Sequence, residues 1–147
     1  MVPMSERAEW TEGRREAARV HAEALARAAA TEAAAAGRVL AEFAATALAQ
    51  GIKVQRLVAR SDKGTGRYPT TVTGWYLRRD SSLGVDTEGG FYELRVAGGM
   101  LARFRPTELT PKPPPLVIGR GGRDGDVIDL KDLVALRLAA GDDWPTP

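Results

Sequence analysis

The chain has 147 residues, of which 44% are hydrophobic and 27% charged, a composition that suits one soluble globular domain. It contains no cysteine, which excludes disulfide frameworks, thiolate nucleophiles, cysteine-ligated zinc and iron–sulfur clusters. The net charge of +2 is unevenly spread: residues 51–123 carry 13 basic and 6 acidic side chains, so an anionic partner is expected there.

The N-terminal residues lack the basic and apolar regions of a secretory signal, and no apolar run approaches the roughly 18 residues that span a bilayer. The absence of cysteine fits a reducing compartment, and the abundance of Ala, Arg and Gly suits a GC-rich bacterial genome. We therefore expect a cytoplasmic bacterial protein that has no contact with a membrane.

Residues 1–50 are predicted to form a helical arm, because strong helix formers dominate and Gly51 stands where a C-terminal cap belongs. A continuous helix over residues 8–50 would be about 65 Å long, against a radius of gyration of roughly 15 Å for a compact chain of this size. It is therefore expected either to break near Gly37 or to pack against another copy. Its second half has a predicted buried stripe of Val39, Leu40, Phe43 and Leu48.

The first half of the arm offers only Trp10, Val20 and Leu25 among many alanines. An alanine-rich stripe allows two helices to approach closely, which favours a homodimer through this helix. The alternative interpretation is a solvated arm that is held by helix propensity alone.

Residues 51–147 are predicted to form an antiparallel β-meander, followed by a proline-rich linker and a C-terminal helix. Strands are expected near 71–78, 82–87, 90–97 and 101–105, with a further strand within 52–60 and a loop over 61–69. The predicted register pairs Trp75 with Val85, Leu77 with Leu83, Val85 with Tyr92 and Leu83 with Leu94, and it pairs Leu94 with Phe104 and Val96 with Ala102. This register places nine residues on one buried face: Trp75, Leu77, Leu83, Val85, Tyr92, Leu94, Val96, Ala102 and Phe104.

The opposite face of the predicted meander combines arginines with aromatic rings. Its candidate partner-binding residues are Tyr76, Arg78, Phe91, Arg95, Arg103 and Arg105. Arginine and aromatic side chains on a sheet bind phosphates and stack on bases. The alternatives are a protein-binding surface and an ordinary solvated face on which Asp86 and Glu93 pair with the arginines.

The glycine-rich stretch at 119–125 carries no recognised ligand-binding motif. It lacks the Lys-Ser/Thr pair of a phosphate-binding loop, and Asp124 stands where a dinucleotide fingerprint requires its third glycine. We interpret it as a hairpin between residues 116–119 and 126–129. It leads into a helix that Asp129 caps, that Gly141 ends and that has an apolar stripe of Leu130, Leu133, Val134 and Leu138. Trp144, in the tail, is expected either to dock onto the domain or to act as a recognition element.

No catalytic set is apparent, because the single histidine, His21, lies on the helical arm, and no metal or cofactor motif is present. The sequence thus predicts an α+β protein that is not an enzyme and has no cofactor. The predicted function is a small adaptor, of the chaperone or accessory type, that acts through its helical arm and sheet surface. The alternative is a nucleic-acid-binding module that uses the basic sheet face.

Overall fold

The structure is a computed structural model that describes residues 4–62, 64–97, 104–120 and 126–147. It has a long N-terminal helix, a mixed sheet made mostly of antiparallel strands and a short C-terminal helix, so the predicted α+β class is confirmed. The elements are α1 (Met4–Ala49), β1 (Gln55–Ser61), β2 (Arg67–Tyr76), β3 (Leu83–Asp86), β4 (Phe91–Glu93), β5 (Arg95–Val96), β6 (Val117–Ile118), β7 (Ile128–Asp129) and α2 (Leu130–Ala140).

The chain divides into two compact units, Met1–Glu32 and Ala33–Pro147. The first is shorter than the helical arm predicted over residues 1–50. From here on, "the arm" means Met1–Glu32 and "the body" means Ala33–Pro147. Among the described residues, no helix is long and apolar enough to cross a membrane.

Helix α1 runs without a break, so the interruption considered at Gly37 does not occur. A glycine inside a helix costs only about 1 kcal/mol, which the strong helix formers around it outweigh. The buried residues of α1 all belong to the body: Ala36, Leu40, Phe43, Ala44 and Ala47. The prediction that Leu48 is buried is wrong, because eight residues of helix turn its side chain roughly 80° away from Leu40, and it is half exposed.

The five-stranded sheet closes on itself. Its strand order is β4-β3-β2-β1-β5, and the two outermost strands are consecutive pieces of chain with only Leu94 between them. The Leu94 N–H donates to the Ser82 carbonyl (2.9 Å), whereas the Leu94 carbonyl accepts from the Arg60 N–H (3.0 Å). One bent segment thus pairs with strands on both sides, which leaves this sheet without a free edge there.

This closure adds a pairing that the predicted meander did not include. Arg95 and Val96 pair in parallel with β1. The predicted loop at 98–100 and Ala102 lie outside the described residues. Phe104, which was expected in the core, is 82% exposed, and the expected pairing with Leu94 is wrong because Leu94 already bonds with strands on both sides.

The predicted register is confirmed between β2 and β3, whereas it is shifted between β3 and β4. Trp75 pairs with Val85, and the Leu77 N–H donates to the Leu83 carbonyl, as expected. Between β3 and β4, however, Val85 pairs with Phe91 rather than with Tyr92, a shift of one residue.

The cause of the shift is the turn between β3 and β4. The Asp86 N–H donates to the Gly90 carbonyl across a loop of residues 87–89, one residue longer than expected, and Gly89 takes a φ of +94°. The Asp86 carboxylate accepts from the N–H groups of Glu88 (2.9 Å) and Gly90 (2.8 Å). Asp86 therefore stabilises the turn instead of pairing with arginines, and Phe91 shares a side of the sheet with Val85.

The core lies between the second half of α1 and the sheet. The rings of Phe43 and Trp75 meet edge to face, with their centroids 5.6 Å apart, and the Trp75 indole donates to the Ile52 carbonyl (3.1 Å). Two glycines allow close approach in this layer. A Cβ at Gly74 would lie 1.9 Å from the Val85 carbonyl oxygen, and one at Gly89 would lie 2.9 Å from the backbone of Ala41.

The segments after the sheet pack back onto the body. The predicted linker contacts two strands, because the Thr107 N–H donates to the Pro69 carbonyl and the Lys112 N–H to the Phe91 carbonyl (both 2.8 Å). The predicted hairpin before α2 is confirmed, since β6 pairs with β7, and residues 121–125 of its loop lie outside the described residues. Asp129 occupies the capping position of α2, but its side chain makes no capping hydrogen bond.

Candidate functional site

The structure separates the residues predicted to form one binding face. Tyr76 and Phe91 are buried, with 2% and 5% of their surfaces exposed. The Tyr76 hydroxyl accepts a hydrogen bond from the Val58 N–H (2.9 Å), and burial raises the pKa of this phenol. The expectation that the two rings stand exposed beside arginines is therefore wrong. The shifted register places Phe91 on the same face of the sheet as Val85, and both rings are buried.

The predicted arginines also lie apart. Arg78 follows the end of β2 and is half buried, with its Nε 3.8 Å from Asp80, whereas Arg95 is exposed on β5 and lies 3.4 Å from Asp62. Arg105 is exposed after the sheet, and Arg103 lies outside the described residues. A role of these four in binding stays a prediction, but Arg78 and Arg95 belong to two different surface features.

The first feature is a row of arginines across three neighbouring strands, which we call the arginine rung: Arg67 on β2, Arg60 on β1 and Arg95 on β5. Arg60 pairs with Arg67 on one side and with Arg95 on the other. Directly opposite residues on paired strands have Cβ atoms roughly 5 Å apart and point to the same side of the sheet. All three side chains are exposed.

The charges of the arginine rung are poorly compensated. In the part of the chain that the structure describes, only Arg95 has a carboxylate partner, Asp62. Like charges on directly opposite residues destabilise a sheet, so three aligned guanidinium groups favour a bound anion. A surface cleft of about 250 Å³ adjoins them, lined by Arg60, Gly64, Thr65 and Arg67.

Arg60 and Arg67 were not among the six candidate partner-binding residues named from the sequence. The pairing of Arg60 with Arg67 follows from the hairpin between β1 and β2. It was missed because a loop was expected over residues 61–69, which placed Arg67 outside any strand. Their alignment with Arg95 was not available, because it depends on the parallel closure of the sheet between β1 and β5.

The second feature is a cleft of about 290 Å³ in the body, which we call the Trp144 cleft. Its walls come from the residues after β2, the hairpin before α2, α2 and the tail: Arg78, Arg79, Val127, Leu133, Leu136 and Trp144. Trp144 is 6% exposed, so of the two roles considered for the tail, the structure shows the one in which Trp144 docks onto the body. The Arg79 guanidinium carbon lies 4.6 Å and that of Arg137 5.2 Å from the centre of its ring.

Arg137 on α2 links the end of β2 to the start of the tail. It is buried, its Nε donates to the Tyr76 carbonyl (2.7 Å), and a terminal nitrogen donates to the Gly141 carbonyl (2.6 Å). Burial lowers the pKa of this guanidinium, and the nearby carboxylate of Asp142 opposes that shift. Among the described residues, the buried Nε1 of the Trp144 indole has no hydrogen-bond partner, which typically costs about 1–3 kcal/mol.

The arm presents a third surface. Every residue from Met4 to Thr31 is exposed, including Met4, Trp10, Val20 and Leu25. Contacts along the helix stabilise it: Arg15 pairs with Glu12, Arg19 pairs with Glu16 and Glu23, and the Arg14 guanidinium lies over the Trp10 ring.

No family model matches the sequence, and no curated protein or solved structure matches it significantly. The three surfaces must therefore be interpreted from their own chemistry.

Among the residues that the structure covers, no group of three or more His, Cys, Asp or Glu side chains is placed to hold a metal ion. His21 is exposed on the arm.

Proposed function

We propose that the protein is a non-enzymatic adaptor, of the chaperone or accessory type, and that its arm is the binding element. The observation that carries this proposal is the exposure of the whole helix from Met4 to Thr31, including its large apolar side chains. Exposed aromatic and aliphatic groups on a long helix are typical of a surface that a second helix covers.

The spacing of the alanines indicates where a second helix would pack. Positions 36, 40, 43 and 47 of α1 are buried in the body. The same spacing of four, three and four residues recurs at positions 22, 26, 29 and 33, which are all alanine. Small side chains allow helix axes to approach closely, and Leu25 lies beside these positions, so a second copy of the arm is the partner we favour.

The oligomeric state tests this proposal. We expect sedimentation velocity at about 100 µM to show a dimer, and Ala29→Glu to convert it to monomer, because the carboxylate would stand in the packed seam. Ala28→Glu is the matched control: it adds the same charge one residue away, roughly 100° around the helix, and is expected to leave the dimer intact. A strictly monomeric wild type, or equal effects of the two variants, would contradict self-association through the arm.

The arginine rung supports a second candidate, binding of nucleic acid through its phosphates. Three aligned arginines beside an open cleft provide a row of positive charge that suits a chain of phosphates. This candidate relies on Arg60, Arg67 and Arg95 and does not require exposed aromatic rings.

Salt dependence tests the second candidate. Fluorescence anisotropy with a labelled single-stranded oligonucleotide is expected to show affinity that falls steeply between about 50 and 200 mM salt. Arg60→Gln with Arg67→Gln is expected to reduce the slope by about one for each phosphate that the variant no longer binds, whereas Arg38→Gln on α1 serves as a control at an exposed arginine of the helix. No measurable binding at low salt would eliminate this candidate.

A further inference from the structure

The Trp144 cleft contains residue types that are common where proteins hold short peptide segments. Val127 and Leu136, which line it, are 58% and 49% exposed, so apolar surface that faces a concave region remains open to solvent. A cleft of about 290 Å³ is at the lower limit for small-molecule sites, and it has room for one or two side chains. Burial of Val127 and Leu136 by an apolar side chain would favour binding.

The charges at the rim of the cleft favour an acidic occupant. Arg79 lies against the Trp144 ring but, within the described ranges, has no carboxylate within ion-pairing distance. Arg78 reaches Asp80 only at 3.8 Å and also donates to the Asp126 carbonyl at 3.5 Å. Among the described residues that line the cleft, Asp126 is the one acidic side chain, so two guanidinium groups outnumber its carboxylate there.

Trp144 forms a fixed wall of the cleft. More than nine-tenths of this residue is buried, and its indole N–H has no acceptor within the described part of the chain. The tail is nevertheless fixed in place, because Asp143 donates its N–H to the Ala140 carbonyl and Asp142 accepts from the Lys53 N–H (2.8 Å). The tail therefore holds the Trp144 ring in position as a wall of the cleft, with the indole N–H turned away from solvent.

From these observations we infer that the Trp144 cleft binds a linear segment of another protein in which an aspartate or glutamate lies close to a leucine, isoleucine, phenylalanine or methionine. The carboxylate pairs with Arg79, and with Arg78 beside it. The apolar side chain packs against Val127, Leu136 and the Trp144 ring. Tryptophan and arginine are the side chains that most often dominate the affinity of such contacts. This site lies in the body and does not depend on the role of the arm.

Selection from a phage-displayed library of random dodecapeptides on the full-length protein is the first step of the test. We expect enriched peptides to carry an acidic residue within a few positions of a large apolar one. The best peptide is then synthesised with a fluorophore, together with one version whose carboxylates are amides and one whose apolar residue is alanine. Failure of enrichment, or enriched peptides without an acidic residue, would overturn the inference.

Fluorescence anisotropy with these peptides measures the contribution of each group. We expect Arg79→Gln and Leu136→Ser each to weaken binding at least tenfold, and both altered peptides to lose a similar factor. The controls are Arg38→Gln, another exposed arginine, and Leu48→Ser, a leucine that is 50% exposed on α1. Equal binding by Arg79→Gln and wild type would contradict the inference. So would competition by single-stranded DNA as effective as that by the unlabelled peptide, because the cleft would then be a general anion site.

Nuclear magnetic resonance locates the bound peptide. Trp10, Trp75 and Trp144 give three indole N–H resonances, and Trp144→Phe identifies the third. The bound peptide is expected to shift the Trp144 resonance more than the other two. A larger shift at Trp10 would place the peptide on the arm and overturn the assignment to this cleft.

Discussion

The arm and the body use the same amino acids in different ways. In the body, Trp75 is fully buried against Phe43 and donates its indole N–H to a backbone carbonyl. In the arm, Trp10 is 66% exposed and contacts Arg14, one turn away on the same helix. Burial determines the sequence of the body, whereas the arm needs only helix propensity and surface ion pairs that contribute a few tenths of a kcal/mol each. The apolar residues of the arm are therefore available to a partner.

The largest expected difference between the two units comes from their tryptophans. Trp75→Ala should lower the free energy of unfolding by about 3–5 kcal/mol, because it opens a cavity beside Phe43. Trp10→Ala should change it by less than about 0.5 kcal/mol, since an exposed ring stabilises little. Urea denaturation followed by circular dichroism measures both values. A large loss in Trp10→Ala would show that the arm is held by tertiary packing.

Glycines provide the second contrast. Gly74→Ala is expected to cost about 2–3 kcal/mol, because the new Cβ would stand 1.9 Å from the Val85 carbonyl oxygen and the strands would have to separate. Gly13→Ala in the arm meets nothing within 4 Å and should stabilise the helix by about 0.5–1 kcal/mol. Thermal melts of the two variants, compared with wild type, distinguish a packed glycine from an exposed one.

Alkaline pH should weaken the body through Tyr92. Burial raises the pKa of its phenol to about 12, and its hydrogen bond to the Asp86 carboxylate (2.8 Å) adds to the shift. The unfolded phenol ionises near 10, so the contribution to stability is constant below pH 10 and is lost as pH rises toward 12, by up to roughly 2 kcal/mol. Urea titrations at several pH values should show this loss in wild type.

Tyr92→Phe is the control for the alkaline effect. It removes the ionisable group, so its free energy of unfolding should depend less on pH above 10 than that of wild type. Identical pH profiles of the two proteins would show that Tyr92 does not titrate in this range.

The smallest expected effect concerns the arginine rung. Arg60→Gln should stabilise the body by about 0.5 kcal/mol at low salt, because it separates Arg67 from Arg95 and relieves repulsion on both sides. The gain should diminish as salt screens the charges. Stability that falls instead, at any salt concentration, would mean that the three guanidinium groups do not repel one another in the folded protein.

Local signals in the sequence predicted much of the architecture. Helix propensity predicted the helix over residues 8–50, and the alternation of apolar residues predicted the pairing of Trp75 with Val85. The glycines at 119–125 predicted the hairpin before α2. The β3–β4 register was not, because it depends on how many residues the turn at Asp86 contains.

The surface features depended on contacts between residues far apart in the chain. The arginine rung requires the parallel pairing of Arg95 with Arg60 on β1, and no local sequence pattern predicts that pairing. The burial of Arg137 was also missed, because a charged residue on a helix is normally expected to face solvent, and its two carbonyl acceptors belong to Tyr76 and Gly141.

Hydrogen–deuterium exchange of the intact protein at increasing concentration tests the central proposal, that the arm is a binding element for a second copy, most directly. We expect amides of residues 14–31 to exchange more slowly as the concentration rises from about 1 to 100 µM, while those of β1 to β4 stay unchanged, because only the arm gains a partner. Exchange in the arm that is equally fast at every concentration would contradict the proposal.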